Sequence, residues 1–465
     1  MSLRVSFHTL GCKLNQLETD AIADAFSREG ASILPFGAEA CGRADLVIIN
    51  TCTVTGKADR SARRMIRLAL ESFPAALVVV TGCYAEVEGP ALRGIGDRVL
   101  VVPEEDKAAL LALPRRLAES GSMDRRPEAP AEFQGILREA LDACLGLLRE
   151  RDGRGAAAFG RFAYNPNAFA FHSRPALKIQ DGCDNDCAYC RVRIARGRAS
   201  SLPAAEALER ARTLDRAGRA EIVLTGVNLA QYRDGALDFP ALLGLLLEGT
   251  ERVAFRVSSY EPDAVNPAFL QVFSHPRVRP HAHLAVQSGS DAVLRSMGRR
   301  YSSADVLAAA RSLRAVRGDP FLAADFIVGF PGETDEDFDA TLRLVRDCGF
   351  ARVHAFRFSP RPGTRAASLP SPVPERIAGE RARALMELGE AATAEYLCRW
   401  EGRIVKAVLE RDLLATSENY LKLEPRGLPD SARPGQEILC RIEGRPAAEE
   451  SSSDRADAEA LFVGL

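Results

Sequence analysis

Short apolar runs alternate with helically spaced stretches in two separate blocks of this chain, and that alternation limits the folds open to it. In residues 3–117 the runs are RVSFHTL, DLVIIN, ALVVVTG and RVLVVP, with helical patterns such as Leu17 to Arg28 and Asp59 to Leu70 between them. Runs of that length separated by helices predict an α/β domain with a parallel sheet. In residues 173–398 six more runs follow at regular intervals: ALKI, EIVLTG, VAFRVSS, AHLAVQSG, FLAADFIVGF and RVHAFRFS. Six consecutive strand-helix units predict an open, partial (β/α)6 barrel. Residues 118–172 are polar and rich in Arg, Gly and Ala; they read as a linker or insertion with one helix around Phe133 to Arg149. Residues 399–465 hold the short alternating runs RIVKAVLER, SENYLKLEP and QEILCRIEG, which predict a small β-barrel ahead of an acidic tail.

At 465 residues the chain is too long for one ordinary core. Its 61 Lys and Arg against 63 Asp and Glu give a net charge of −2, so no global basic field advertises nucleic acid and any RNA contact must be local. No apolar run is long enough to span a bilayer. The opening MSLRVSFHTLGC reads as a first strand, not a signal peptide, which places the protein in the cytoplasm as an expectation. In that reducing compartment eleven cysteines are not a disulfide framework, and clustered thiols point to metal or redox chemistry.

Three of them crowd one loop. In IQDGCDNDCAYCRVRIARG, Cys183, Cys187 and Cys190 stand at C-x3-C-x2-C spacing directly after the first barrel strand. A structural zinc site wants four ligands, and no fourth Cys or His follows nearby. Three thiolates on a short loop suit a 4Fe-4S cubane whose fourth iron stays open to a ligand. Three further cysteines each end a strand of the first domain: VSFHTLGC at Cys12, LVIINTC at Cys52 and LVVVTGC at Cys83. The carboxyl ends of parallel strands share one edge, so these thiols, distant in sequence, converge there. A lone strand-end Cys is usually inert packing; three with one placement are not.

The loop cysteines with Tyr189 resemble the signature of the radical S-adenosylmethionine (radical SAM) superfamily. The wider context KIQDGCDNDCAYC with ARGRASS, together with EIVLTGVNL, VQSGSDAVLRSMGRRY, IVGFPGETDEDF and FSPRPGTRAA, is similar to its methylthiotransferase branch over nearly the whole chain. The entry motif TLGCKLNQLETD, with NTCTVTGKADRSARRMIR and SENYLKL, resembles the MtaB-type branch that acts on N6-threonylcarbamoyladenosine in tRNA. The isopentenyladenosine and ribosomal-protein branches carry other entry motifs and are the alternatives.

The resemblance implies two 4Fe-4S clusters and S-adenosyl-L-methionine as cofactors. One cluster, on Cys183, Cys187 and Cys190, chelates SAM through its open iron; an auxiliary cluster on Cys12, Cys52 and Cys83 supplies sulfur for C2 of the modified adenosine beside the anticodon. It implies tRNA and an electron donor such as a flavodoxin or ferredoxin as partners, and a TRAM-like C-terminal barrel that holds RNA. For SAM it implies Tyr189 behind the adenine, Thr225 and Gly226 near the methionine amino group, Gln287 and Ser288 at the fourth strand end, and Ile327 to Gly329 at the fifth. The proline often found after the loop is Arg193 here, and an arginine expected after Ser200 and Ser201 is Leu202, so that segment receives no catalytic assignment. Lys57, Arg60, Arg63, Arg64 and Arg67 share a helix face and form a second RNA-binding candidate. Cys41, Cys144, Cys348, Cys398 and Cys440 match no motif and are expected to be packing or surface residues. An iron-sulfur electron carrier and a zinc-dependent RNA-binding protein are the readings from other classes, separated from this one by metal content.

Overall fold

The computed structural model describes residues 2–37, 42–123, 127, 129–152, 160–165, 169–445 and 456–464. The chain divides into two compact units. The first comprises Met1–Phe171 and two returning segments, Asp181–Asp184 and Cys190–Ser200; the second comprises the remainder.

The first unit is built on five parallel strands: β1 (Arg4–Thr9), β2 (Ser32–Leu34), β3 (Leu46–Thr51), β4 (Leu77–Gly82) and β5 (Val99–Val101), in the order β2-β1-β3-β4-β5. Every residue of β3 and β4 is buried. Parallel sheets covered on both faces require such continuous apolar runs. One face is covered by α1 (Lys13–Arg28), α4 (Ala109–Glu119) and α5 (Pro130–Asp152), with Ile22, Phe26, Leu110 and Leu137 in its core. Residues of α2 (Gly56–Ser72) and α3 (Cys83–Arg93), including Ala62, Ile66, Tyr84 and Leu92, pack with Val47, Ile49, Val78 and Val80 in a second core. The stretch read as a linker or insertion with one helix carries that helix as α5, whose Phe133, Leu137, Leu141 and Cys144 complete the first core. Its apolar stripe lies between polar neighbours, so composition alone hides it. A short helix, α6 (Val192–Arg196), belongs to this unit and packs on α3.

All six strands expected of the partial barrel form in the second unit: β6 (Ala176–Lys178), β7 (Glu221–Thr225), β8 (Ala254–Val257) continuing as β9 (Ser259–Tyr260), β10 (His281–Gln287), β11 (Phe321–Val328) and β12 (Arg352–Arg357). Pairings are parallel throughout, β6-β7-β8 in one sheet and β9-β10-β11-β12 in the next. The sheets meet where the third strand breaks at Ser258. A 26-residue helix, Glu375–Trp400, leads to a closed five-stranded barrel of β13 (Ile404–Leu409), β14 (Ala415–Ser417), β15 (Lys422–Arg426), β16 (Glu437–Gly444) and β17 (Ala458–Gly464). The end of the chain, acidic in sequence, thus contributes the strand that pairs with both β15 and β16.

A buried charge cluster ties the two barrels of this unit together. Glu221 at the start of β7 takes Arg174, Arg256 and Arg279 at 3.2, 2.7 and 2.9 Å. Those arginines reach onward to Glu410, the Ser417 carbonyl and Glu437. Burial raises the cost of the Glu221 charge, but the arginines outweigh it and hold its carboxyl far below the usual range.

Candidate metal centres

In the first unit the chain reverses direction at β1, which lies between β2 and β3, so the crevice at the carboxyl ends of β1 and β3 is the fold's natural ligand position. Cys12 caps the start of α1 there, Cys52 follows β3, and Cys83 opens α3 directly after β4. The three strands are neighbours, so the three cysteines share one edge. Two glycines make that approach possible. Gly11, at φ +103°, lets the β1 turn lie on Cys52; a Cβ there would come within 2.8 Å of Cys52 Sγ. Gly82, at φ +95°, has the Thr51 carbonyl oxygen 2.3 Å from where its Cβ would be.

Cys12 is exposed, whereas Cys52 and Cys83 are buried. Burial, with the Cys12 thiol beside it, pushes the Cys52 thiol up to about 11. Burial raises Cys83 further, against the opposing charge of Arg196. Thiols so disposed stay protonated until a metal displaces the protons.

Arg196, on α6, is the residue that organises this edge. Its Nε donates to Cys83 Sγ at 3.1 Å, its Nη2 to Asn15 Oδ1 at 2.8 Å, and its Nη1 to Glu18 at 3.0 Å and Asp181 at 3.2 Å. Glu104 approaches the same Nη1 at 3.0 Å, and Lys107 joins Glu18 to Glu104 from the other side. Burial disfavours the Arg196 charge, yet Cys83 and the carboxylates of Glu104, Glu18 and Asp181 more than offset it and hold its pKa above the ordinary value. Glu18, Glu104 and Asp181 have the closeness of a cation site, but Arg196 and Lys107 already occupy it. Asn15 in turn donates to the carbonyls of Leu10 and Thr51, pinning the turns that carry Cys12 and Cys52. Sequence reading missed this group because its members come from five separate stretches; the only local signal was the ARG triplet just after the cysteine loop.

Of the loop cysteines, Cys183 and Cys190 lie in segments of the first unit and Cys187 in the second. All three are half-buried. The Cys183 backbone N–H donates to the Gly197 carbonyl at 3.1 Å, and Val192 N donates to Cys190 Sγ at 3.4 Å. In the second unit Arg299 Nη1 donates to Cys187 Sγ at 3.3 Å, while its Nη2 holds Glu261 at 2.6 Å and the Ala285 carbonyl at 2.8 Å. Glu261 also accepts from Asn228 and Asn185, giving a polar chain from the strand ends to the Cys187 thiol. Each cysteine set therefore has an arginine donor on one sulfur, the kind of contact that favours a thiolate ligand.

The residues expected around SAM separate into two groups. Tyr189 and Ile327 pack on the same small apolar cluster of Ala188, Val293, Met297, Phe330 and Ala366. Thr225 is buried at the end of β7, and Gly226 is bare because a Cβ would come within 2.9 Å of Gln180 and Leu229. Gln287 ends β10 at φ +70°, a left-handed conformation unusual for a side-chain-bearing residue and a mark of a constrained site. Ser288 and Gly329 each have close neighbours of their own. The Ser288 hydroxyl accepts from Ser290 N at 3.2 Å and lies 3.5 Å from Thr341 Oγ1, inside the packing. Gly329 faces Ala378, where a Cβ would be 2.5 Å away, and its N–H donates to Glu333 at 2.6 Å.

Lys57, Arg60, Arg64 and Arg67 are exposed along α2, with no carboxylate partner among the described residues; Arg63 instead turns inward to Tyr84. Three cations of the C-terminal barrel are paired with carboxylates, Lys406 with Glu437, Lys422 with Glu410 and Arg426 with Glu459. Cys144, Cys348 and Cys440 are buried and Cys398 is exposed, while Cys41 lies outside the described residues. No described helix is long and apolar enough to cross a membrane.

Known proteins match this arrangement. A profile described as Radical SAM superfamily covers residues 177–345, and one described as Uncharacterized protein family UPF0004 covers residues 4–102. The threonylcarbamoyladenosine tRNA methylthiotransferase MtaB of Treponema pallidum is 42% identical over 95% of this chain and 99% of its own length. A tRNA-2-methylthio-N(6)-dimethylallyladenosine synthase of Nitratidesulfovibrio vulgaris is 35% identical over 87% of this chain and 86% of its own. Among solved structures, the radical SAM methyltransferase TsrM of Kitasatospora setae, with cobalamin and a 4Fe-4S cluster bound, aligns at a TM-score of 0.50. It shares 14% identity over 79% of this chain and 77% of its own, a likeness of fold. SAM and a 4Fe-4S cluster are the cofactors of that superfamily, and an α/β domain, a partial barrel and a full-length methylthiotransferase relative point one way: this chain is an enzyme of the radical SAM methylthiotransferase family.

Proposed function

We infer that this enzyme places a methylthio group on C2 of N6-threonylcarbamoyladenosine, next to the anticodon on its 3′ side, in tRNA. The observation that carries the reading is the gathering of Cys12, Cys52 and Cys83 at one sheet edge under Arg196, in a chain that also bears the radical SAM loop. Cys183, Cys187 and Cys190 would hold a 4Fe-4S cluster, the chemistry of SAM cleavage, and Cys12, Cys52 and Cys83 would hold a second, the source of sulfur. The protein's part is to hold and shield. Arg196 and Arg299 each donate to one sulfur of a set, offsetting thiolate charge, and Asn15 and the two glycines fix the turns that carry the strand-end thiols. Tyr189, Thr225, Gly226, Gln287, Ser288, Ile327 and Gly329 are the candidates for SAM. tRNA binds through the exposed cations of α2, with the C-terminal, TRAM-like barrel as a second surface, in the cytoplasm, and a flavodoxin or ferredoxin supplies electrons.

The relative named for threonylcarbamoyladenosine supports this substrate at higher identity and coverage than the relative named for dimethylallyladenosine. Mass spectrometry of tRNA nucleosides from a strain lacking the gene, before and after restoring it, tests the choice. Loss of the 2-methylthio threonylcarbamoyl nucleoside is expected. Loss of the methylthio-isopentenyl form, with the threonylcarbamoyl form intact, would assign the enzyme to the other branch.

A further inference from the structure

Three adjacent strands of the partial barrel carry a donor set used by none of the chemistry above. His283 is on β10, Asp325 on β11 and His354 on β12. Along β10, Ala282, Leu284 and Val286 are buried while His283, Ala285 and Gln287 are less so; along β11, Phe326 and Val328 are buried while Asp325 and Ile327 are less so. Alternation along β11 puts Ala323, Asp325 and Ile327 on one side of the sheet, and the register pairs His283 with Ala323 and His354 with Asp325 on that side.

One nitrogen from each imidazole and one carboxylate oxygen lie within 4.8 Å of one another. The imidazole rings stack, with centroids 5.4 Å apart. His283 Nε2 sits 2.9 Å from Asp325 Oδ1. That nitrogen is buried and makes no hydrogen bond of acceptable geometry. An imidazole nitrogen 2.9 Å from a carboxylate oxygen is held there by a shared cation, either a proton on His283 or a metal ion, and the second imidazole beside them gives the set the three donors a metal ion takes. Donors around a first-row divalent ion, at about 2.0–2.2 Å from it, are about 3–3.5 Å apart, so modest side-chain rotation closes this set. The nearby Arg352, two residues before His354, is committed to Asp457 and does not fill the position.

The geometry points to a divalent transition-metal site formed by His283, Asp325 and His354, separate from both cysteine sets. Two imidazoles and one carboxylate select an ion of the Fe2+ to Zn2+ type over Mg2+ or Ca2+. Three protein ligands leave coordination positions for an oxygen ligand on that face of the sheet. The assignment does not depend on the reaction proposed above.

Cobalt(II) is the probe. Full-length, cluster-reconstituted protein is titrated anaerobically with cobalt(II), and bound metal is counted after gel filtration. One equivalent should be retained at micromolar free cobalt, with d–d absorption and no sulfur-to-cobalt charge-transfer band, which excludes loading at the cysteines. His354→Gln, at an exposed position, and Asp325→Asn should each weaken retention by at least tenfold. Iron and sulfide contents equal to those of the parent confirm that the variants are folded. No retained cobalt in the parent, a sulfur charge-transfer band accounting for all of it, or equal retention in both variants would overturn the site and leave His283 and Asp325 an ordinary imidazole-carboxylate contact.

Discussion

The two cysteine sets are built in opposite ways. Cys183, Cys187 and Cys190 come from eight consecutive residues and are all half-buried, so what groups them is sequence. Cys12, Cys52 and Cys83 come from three strands, two of them are buried, and their closeness is a property of the folded sheet. A loop set can form as soon as its short segment is ordered. A strand-end set exists only when the domain is folded, so its chemistry is tied to the stability of that domain, and the buried Arg196 cluster beneath it depends on folding in the same way.

The difference can be broken most severely at the loop. Changing Cys183, Cys187 and Cys190 to Ala should abolish both 5′-deoxyadenosine formation and methylthiolated product, since SAM loses the iron that chelates it. The strand-end iron should remain, measurable as about half the total if each set holds one cubane.

Arg196 sharpens the contrast. Arg196→Met leaves Glu18, Asp181 and Glu104 short of a buried partner and should cost about 3–5 kcal/mol in the first unit's stability, read from denaturant unfolding. Auxiliary iron should be the first content to fall. The same kind of network predicts a pH response for its counterpart in the second unit. Glu221 has its folded pKa depressed by three arginines, so it contributes stability above the ordinary carboxylate range, lost as pH falls toward the depressed value. Glu221→Gln should remove that acid-side dependence while leaving the cysteine sets intact.

Gly82→Ala tests the sheet edge directly. The new Cβ would meet the Thr51 carbonyl, and φ of +95° adds strain, so a loss of about 1–3 kcal/mol is expected together with weaker auxiliary iron retention. A smaller effect belongs to the surface. Replacing Lys57, Arg60, Arg64 and Arg67 with Gln should reduce the slope of log K for tRNA against log salt by up to about 3, one increment for each phosphate that is no longer neutralised. An equal change from neutralising the paired barrel cations, with none from α2, would reverse the assignment of the main tRNA surface.

The same contrast explains what was legible in the sequence. Each of the ten apolar runs became a strand, because parallel strands covered on both faces need continuous apolar segments of that length. The loop cysteines could be read from spacing, and the strand-end cysteines from the shared position at the end of their runs. What stayed hidden depends on side-chain direction and long-range pairing. Arg196 meets Glu18 across 178 positions, and no periodicity connects them. Ser288 and Gly329 sit at strand ends as expected, but their neighbours there, Ser290 N and Ala378, are set by the fold. His283, Asp325 and His354 stand in three separate strands, and only the register of the sheet brings them together.

The central claim is that the strand-end cysteines serve sulfur transfer and the loop cysteines serve SAM cleavage. The most direct test is the variant with Cys12, Cys52 and Cys83 changed to Ala, reconstituted anaerobically and incubated with reductant, SAM and tRNA. It should retain about half the iron and still yield 5′-deoxyadenosine, while no methylthio group reaches the nucleoside. Full methylthiolated product from that variant would contradict the account and leave the three strand-end cysteines as packed thiols of the sheet.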